Sequence, residues 1–159
     1  NPIVIGINNM IDGYKLDFLF YSSSIRYQNL KYQDIEMCVE PQIIVTSNIV
    51  NKSKINEIVV NYSSLIQPGW VNVDSSFILA IRLLIRCGIF EVYVAGMDGY
   101  REFGNSFYKN ELDTNLDKES RDLSTEDNIS MLKNIISNYP QFRMYFLTET
   151  VYNGVTESK

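Results

Sequence analysis

Asp98, Gly99, Tyr100 and Arg101 follow directly on an apolar run, 92–95, and Gly96, in the stretch VYVAGMDGYREFG. An acid at a strand exit can hold a metal, a ribose hydroxyl or a substrate amine. It can equally cap the next turn, because Gly-X-Asp-Gly is turn chemistry by itself. Tyr100 can stack on or hydrogen-bond a nucleotide, or simply fill the rim with an amphipathic ring. Ser75 and Ser76 stand before an apolar helical pattern, where free backbone N–H groups and the helix dipole favour anions such as phosphate; ordinary capping is the alternative. Asn8 and Asn9 close the first apolar run, either as ligand contacts or as a plain turn. Arg26 and Arg101 flank two of these ends and could pair with phosphate or carboxylate, although solvation at the surface is the commoner use. Trp70, beside Pro68-Gly69, reads as a packing anchor rather than a stacking platform.

The chain contains no histidine, which removes the commonest general base and the commonest zinc ligand together. Any chemistry must use carboxylates, tyrosines, lysines, hydroxyls or a metal held by oxygen. Fourteen basic against nineteen acidic residues give a net charge of −5, which repels phosphate backbones and disfavours nucleic acid as a partner. Cys38 and Cys87 lack CxxC spacing, and Cys87 falls in an apolar helical pattern where a thiol acts as a small hydrophobe. The cysteine usage fits a cytoplasmic location, and no apolar stretch approaches the roughly 18 to 20 residues that span a bilayer, so no membrane partner is expected.

At 159 residues, 45% of them hydrophobic, the size prior is one domain with a proper core. We expect it to cover 1–150, with 151–159 as a flexible tail. Short β-branched or aromatic runs at 3–7, 18–21, 42–46, 56–64 and 91–95, and a last one in FRMYFLTET, read as strands. IRYQNLKYQDI reads as a short helix. The segment 77–87 repeats at helical spacing, with Asp74 or Ser75 as N-cap, Gly88 at C′ and only Arg82 and Arg86 on a solvent side. Ser124 and Asp127 predict a capping box for a second long helix with Ile129, Leu132, Ile135 and Ile136 inward and Pro140 as its stop. The polar residues before it read as a solvated loop or a lid.

Strands that are apolar throughout are covered on both faces, which points to a mostly parallel sheet between helices: a Rossmann-like α/β three-layer sandwich. Ligands of such sheets sit beyond the strands' carboxyl ends. The polar endings Asn8-Asn9, 22–24, 46–48 and 98–100 would converge there on one rim.

The stretch VDSSFILAIRLLIRCGIFEVYVAGMDGYRE also resembles a segment of the Campylobacter-type bacterial sialyltransferases and of related pterin-pyrophosphokinase-like Rossmann proteins. The matching pattern is Asp74-Ser75-Ser76, the apolar helix to Gly88, the strand to Gly96 and Asp98-Gly99-Tyr100. Upstream, VIGINNM and DFLFYSSSIRY look like that family's second and third strands, with Asn8 or Asn9 at its nucleotide-contacting asparagine. The resemblance covers about residues 2–100. It implies a nucleotide or nucleotide-sugar binding domain in surface-carbohydrate metabolism, with a CMP-type ligand, and Mg2+ as a further candidate, held by Asn8, Asn9, Ser75, Ser76, Asp98 and Tyr100. Asp98 is the candidate catalytic residue. The family's histidine base is absent, so sialyl transfer by that mechanism is not expected, and whether the domain catalyses is left open. The family's glycine-rich first strand is also missing, which suggests a fragment. The resemblance extends to domains at the carboxyl end of aldolase-like (HMG-CoA-lyase-like) polypeptides. The alternative is therefore a non-catalytic module that docks such a barrel or mediates homo-oligomerisation.

Overall fold

Uninterrupted β-branched and aromatic residues produce the strands, and each gives way where polar residues or glycine follow. The computed structural model describes residues 2–9, 14–30, 41–49, 57–99 and 118–155. Tyr100, Arg101, Ile35, Cys38, most of the expected loop and the last four residues lie outside the described residues. The protein is α/β with parallel sheets of Rossmann-like type, and it divides into two compact units, Asn1–Ile66 and Gln67–Lys159.

The first unit contains β1 (Ile5–Ile7), β2 (Phe18–Tyr21), α1 (Ser24–Leu30), β3 (Gln42–Thr46), β4 (Glu57–Val60) and α2 (Tyr62–Leu65). Its sheet runs β1-β2-β3-β4, and every neighbouring pair is parallel. Only β2 and β3 show the expected burial on both faces; in β4, Ile58 and Val59 are both exposed. The expected strand 56–64 is shorter than read. Asn61 stops it by accepting a hydrogen bond from the Ser63 N–H at 3.0 Å and starting α2, which is the ordinary use of asparagine at an N-cap.

The unit's core joins Leu16, Leu19, Tyr21, Tyr27, Ile43, Val45 and Ile49. Tyr21 and Tyr27 meet edge to face at 5.7 Å, and the Tyr27 hydroxyl donates to the Glu57 carboxylate. Burial, and then the neighbouring Tyr27 phenol, push the Tyr21 hydroxyl well above the ordinary phenol range. The folded state therefore holds that proton more tightly than the unfolded chain. Its contribution is complete below the unfolded phenol pKa of about 10 and is lost as pH rises past it. We expect the urea midpoint to fall steeply above pH ~10 in the parent protein, and less steeply in Tyr21→Phe.

The second unit contains α3 (Ser76–Arg86), β5 (Glu91–Val94), α4 (Lys118–Asn138), β6 (Arg143–Phe146) and a 3-10 turn, Asn153–Val155. β5 and β6 pair in parallel, with Tyr93 opposite Tyr145. Of the apolar positions read for α3, Phe77, Ile78, Ala80, Ile81 and Ile85 are buried, Leu84 is half-buried, and Leu79 is buried as well. Gly88 takes φ +80, and the Ile89 and Gly88 N–H groups donate back to the Leu84 and Ile85 carbonyls at 2.9 and 3.0 Å. This is the Schellman ending that a C′ glycine allows. Arg82 is half-buried and donates to Gln67 Oε1 at 3.1 Å, while Arg86 is exposed. Cys87 is exposed beyond the helix end rather than packed as a small hydrophobe.

Three further expectations are corrected here. α4 begins at Lys118, so Ser124 lies within the helix and caps nothing. The intervening KESRDL is rich in good helix formers, and that propensity extends the helix past the polar signal. Second, β5 alternates between exposed and buried residues, with Tyr93 62% exposed, so it is covered on one face only. Third, the presumed tail is folded as far as Val155: Tyr152 and Val155 are buried. Among the described residues, no helix is long and apolar enough to cross a membrane.

Candidate functional site at the strand ends

Parallel pairing sends the carboxyl ends of β1 to β4 to one rim of the first unit. The register sets Ile7 against Phe20, Tyr21 against Val45 and Thr46 against Val60. The residues that follow are Asn8-Asn9, Ser22-Ser23, Ser47-Asn48 and Asn61. Ser47 and Asn48, with Thr46 at the end of β3, stitch one strand end to the next. Thr46 Oγ1 donates to the Tyr21 carbonyl at 3.4 Å, Asn48 Nδ2 to the Ser22 carbonyl at 3.1 Å, and Ser47 Oγ accepts from the Tyr62 N–H at 3.0 Å. Ser23 Oγ accepts from the Arg26 N–H at 3.5 Å.

Asn8 differs from the rest. It takes φ +65, a left-handed conformation that asparagine tolerates better than most residues. Its N–H donates to the Phe20 carbonyl at 3.0 Å, which holds it against β2. Its Oδ1 is shielded from solvent without a hydrogen-bond partner. Buried polar atoms are normally paired, so an unpaired one marks a place where a water or ligand group completes the structure.

The remaining described candidates, Ser75, Ser76 and Asp98, belong to the second unit. Because only residues 87–90 separate α3 from β5, the chain reverses there. The α3 N-terminus and the β5 carboxyl end therefore lie at the same end of that unit. Ser75 occupies the N-cap position but makes no side-chain capping bond. Three residues earlier, Asn72 donates through its backbone N–H (2.8 Å) and its Nδ2 (3.1 Å) to Asp127 Oδ2. Asp127, expected as the partner of Ser124 in a capping box, is buried, and it brings a carboxylate to the approach of this helix. That charge opposes the phosphate binding expected at Ser75 and Ser76.

Asp98 is exposed between two glycines of positive φ, Gly96 at +74 and Gly99 at +84. The turn is clasped by the segment that follows β6. The Gly96 N–H donates to Thr148 Oγ1 at 3.0 Å, Thr150 Oγ1 to the Met97 carbonyl, and the Val151 N–H to the Asp98 carbonyl at 3.3 Å. Tyr152 anchors this clasp: its ring stacks on Phe146 with centroids 6.5 Å apart, and its hydroxyl accepts from Asn128 Nδ2 at 3.4 Å. Sequence reasoning missed the clasp because VYNG carries ordinary turn composition. The signal available was the pair of apolar residues, Val151 and Tyr152, beyond the last strand.

Trp70 is half-buried. Among the described residues, no three acidic or cysteine side chains are grouped to hold a cation, and Asp98 alone does not make a magnesium site. No known protein family, curated protein or solved structure matches the chain.

Proposed function

We propose that the protein is a nucleotide- or nucleotide-sugar-binding domain of sialyltransferase-like type, serving surface-carbohydrate metabolism in a polypeptide that also carries an aldolase-like domain. The observation that carries this reading is Asn8. It lies at the carboxyl end of a parallel strand, where α/β sheets bind ligands, in a left-handed conformation with an unpaired buried acceptor. It is also the position that the sequence resemblance matches to a nucleotide contact. Asn9 extends the same edge; Ser75, Ser76, Asp98 and Tyr100 are candidate contacts by the sequence resemblance. If the domain catalyses, Asp98 is the proton acceptor, since it is an exposed carboxylate on a fixed turn.

Thermal denaturation with CMP, CDP, UDP and ATP, each with and without Mg2+, tests the reading. We expect stabilisation by at least one cytidine nucleotide, and a ligand at about a hundred times its Kd adds about 2.7 kcal/mol. No shift with any of them contradicts it. That outcome favours the second reading, a docking or oligomerisation module, which draws on the exposed Tyr93, Tyr145 and Leu147 of the β5–β6 sheet. Such a module is recognised by a concentration-dependent mass in light scattering.

A further inference from the structure

The first unit's rim contains a second amide whose orientation is fixed. Asn48 Nδ2 is held by the Ser22 carbonyl at 3.1 Å, which leaves its Oδ1 as an oriented acceptor on an exposed residue. Asn8 follows Ile7, which is level with Phe20, so it stands level with Tyr21, and the Asn48 amide reaches Ser22, one residue further along. β1 and β3 are two sheet positions apart, roughly 10 Å at ordinary strand spacing, with Ser22 and Ser23 between them. The described strand-end residues of this rim, Asn8, Asn9, Ser22, Ser23, Ser47, Asn48 and Asn61, bear neutral amides and hydroxyls, and the cation nearest to them in sequence is Arg26, within α1. Such groups recognise base edges and ribose hydroxyls, whereas phosphate is normally met by cationic side chains or helix N-termini.

Building on the nucleotide reading above, we propose that Asn48 is a ligand contact, and that Asn8, Asn9, Ser22 and Asn48 form a neutral edge receiving the nucleoside part. Affinity at this rim then resides in base and ribose, and the phosphates add little. Calorimetric titration of the full chain with cytidine, adenosine and their 5′-monophosphates, at low and high salt, tests this. Each nucleoside that binds does so within about threefold of its monophosphate, with little change on adding salt. Asn48→Ala weakens both about five- to tenfold, the loss expected of one neutral hydrogen bond. Because Asn48 also holds the Ser22 backbone, a second readout avoids any variant: the Asn48 side-chain amide resonances of the parent protein shift when the nucleoside is added. A monophosphate bound more than about tenfold tighter than its nucleoside, with affinity falling as salt rises, overturns the neutral edge and leaves the nucleotide reading standing. Unmoved Asn48 resonances in a protein that binds overturn the assignment of Asn48. Binding of none of the four overturns both readings.

Discussion

Replacing Tyr152 with alanine lowers the unfolding free energy by about 3–5 kcal/mol, the usual cost of deleting a large buried aromatic ring. Tyr152 is fully buried, stacks on Phe146 and shares a polar contact with Asn128. Removing the ring leaves a cavity and strips Asn128, only 4% exposed, of the hydroxyl its Nδ2 donates to, which adds the cost of an unmet polar group. Tyr152→Phe isolates the second contribution and costs about 1 kcal/mol. Urea denaturation measures both. A loss under about 1 kcal/mol in Tyr152→Ala means that the clasp is not packed as described. The effect reaches the candidate site, because the Thr150 and Val151 contacts to the Asp98 turn depend on the anchored ring.

Gly99→Ala is expected to cost about 2–3 kcal/mol, from two separate causes. At φ +84 an L-residue is strained by about 1–2 kcal/mol. In addition, a Cβ at this position would collide with Val151 Cγ2, so the clasp must give way. Val151 is 41% exposed and can retreat, which keeps the clash at the lower end of the 1–3 kcal/mol usual for overpacking. Gly96→Ala has positive φ but open space around its Cβ, so it shows the backbone strain alone. Equal losses in the two variants contradict the close approach of Val151.

Much of the fold is legible in the sequence because it follows from local pattern. The apolar run 18–21 is β2 and the run 42–46 is β3, both buried on either side, and the helical period from Phe77 with Gly88 behind it gives α3 and its end. The misreadings arise where a local signal has two physical outcomes. Ser124 with Asp127 has the spacing of a capping box, but the helix formers ahead of it continue the helix to Lys118, and Asp127 serves Asn72 instead. Val92 to Ala95 looks continuously apolar because tyrosine is amphipathic; in the fold β5 alternates, leaving Tyr93 stacked on Tyr145 at 5.0 Å in the open.

The candidate site divides in the same way. The polar endings of β1 to β3 were readable as a rim, because parallel strands must deliver their carboxyl ends to one side. That Asn8 is the member with an unmet acceptor was not readable, since pairing depends on the register with β2. The Asp98 turn was visible as glycine chemistry. The reason for its second glycine, the approach of Val151, lies some fifty residues away in the chain and leaves no local trace.

The central claim is that the strand-end rim of the first unit receives a nucleotide through Asn8 and its neighbours. Backbone amide chemical-shift mapping of the labelled protein during titration with CMP tests it most directly. The account predicts saturable shifts concentrated at Asn8, Asn9, Ser22, Ser23 and Asn48. Shifts absent from these residues at concentrations that saturate any binding contradict it.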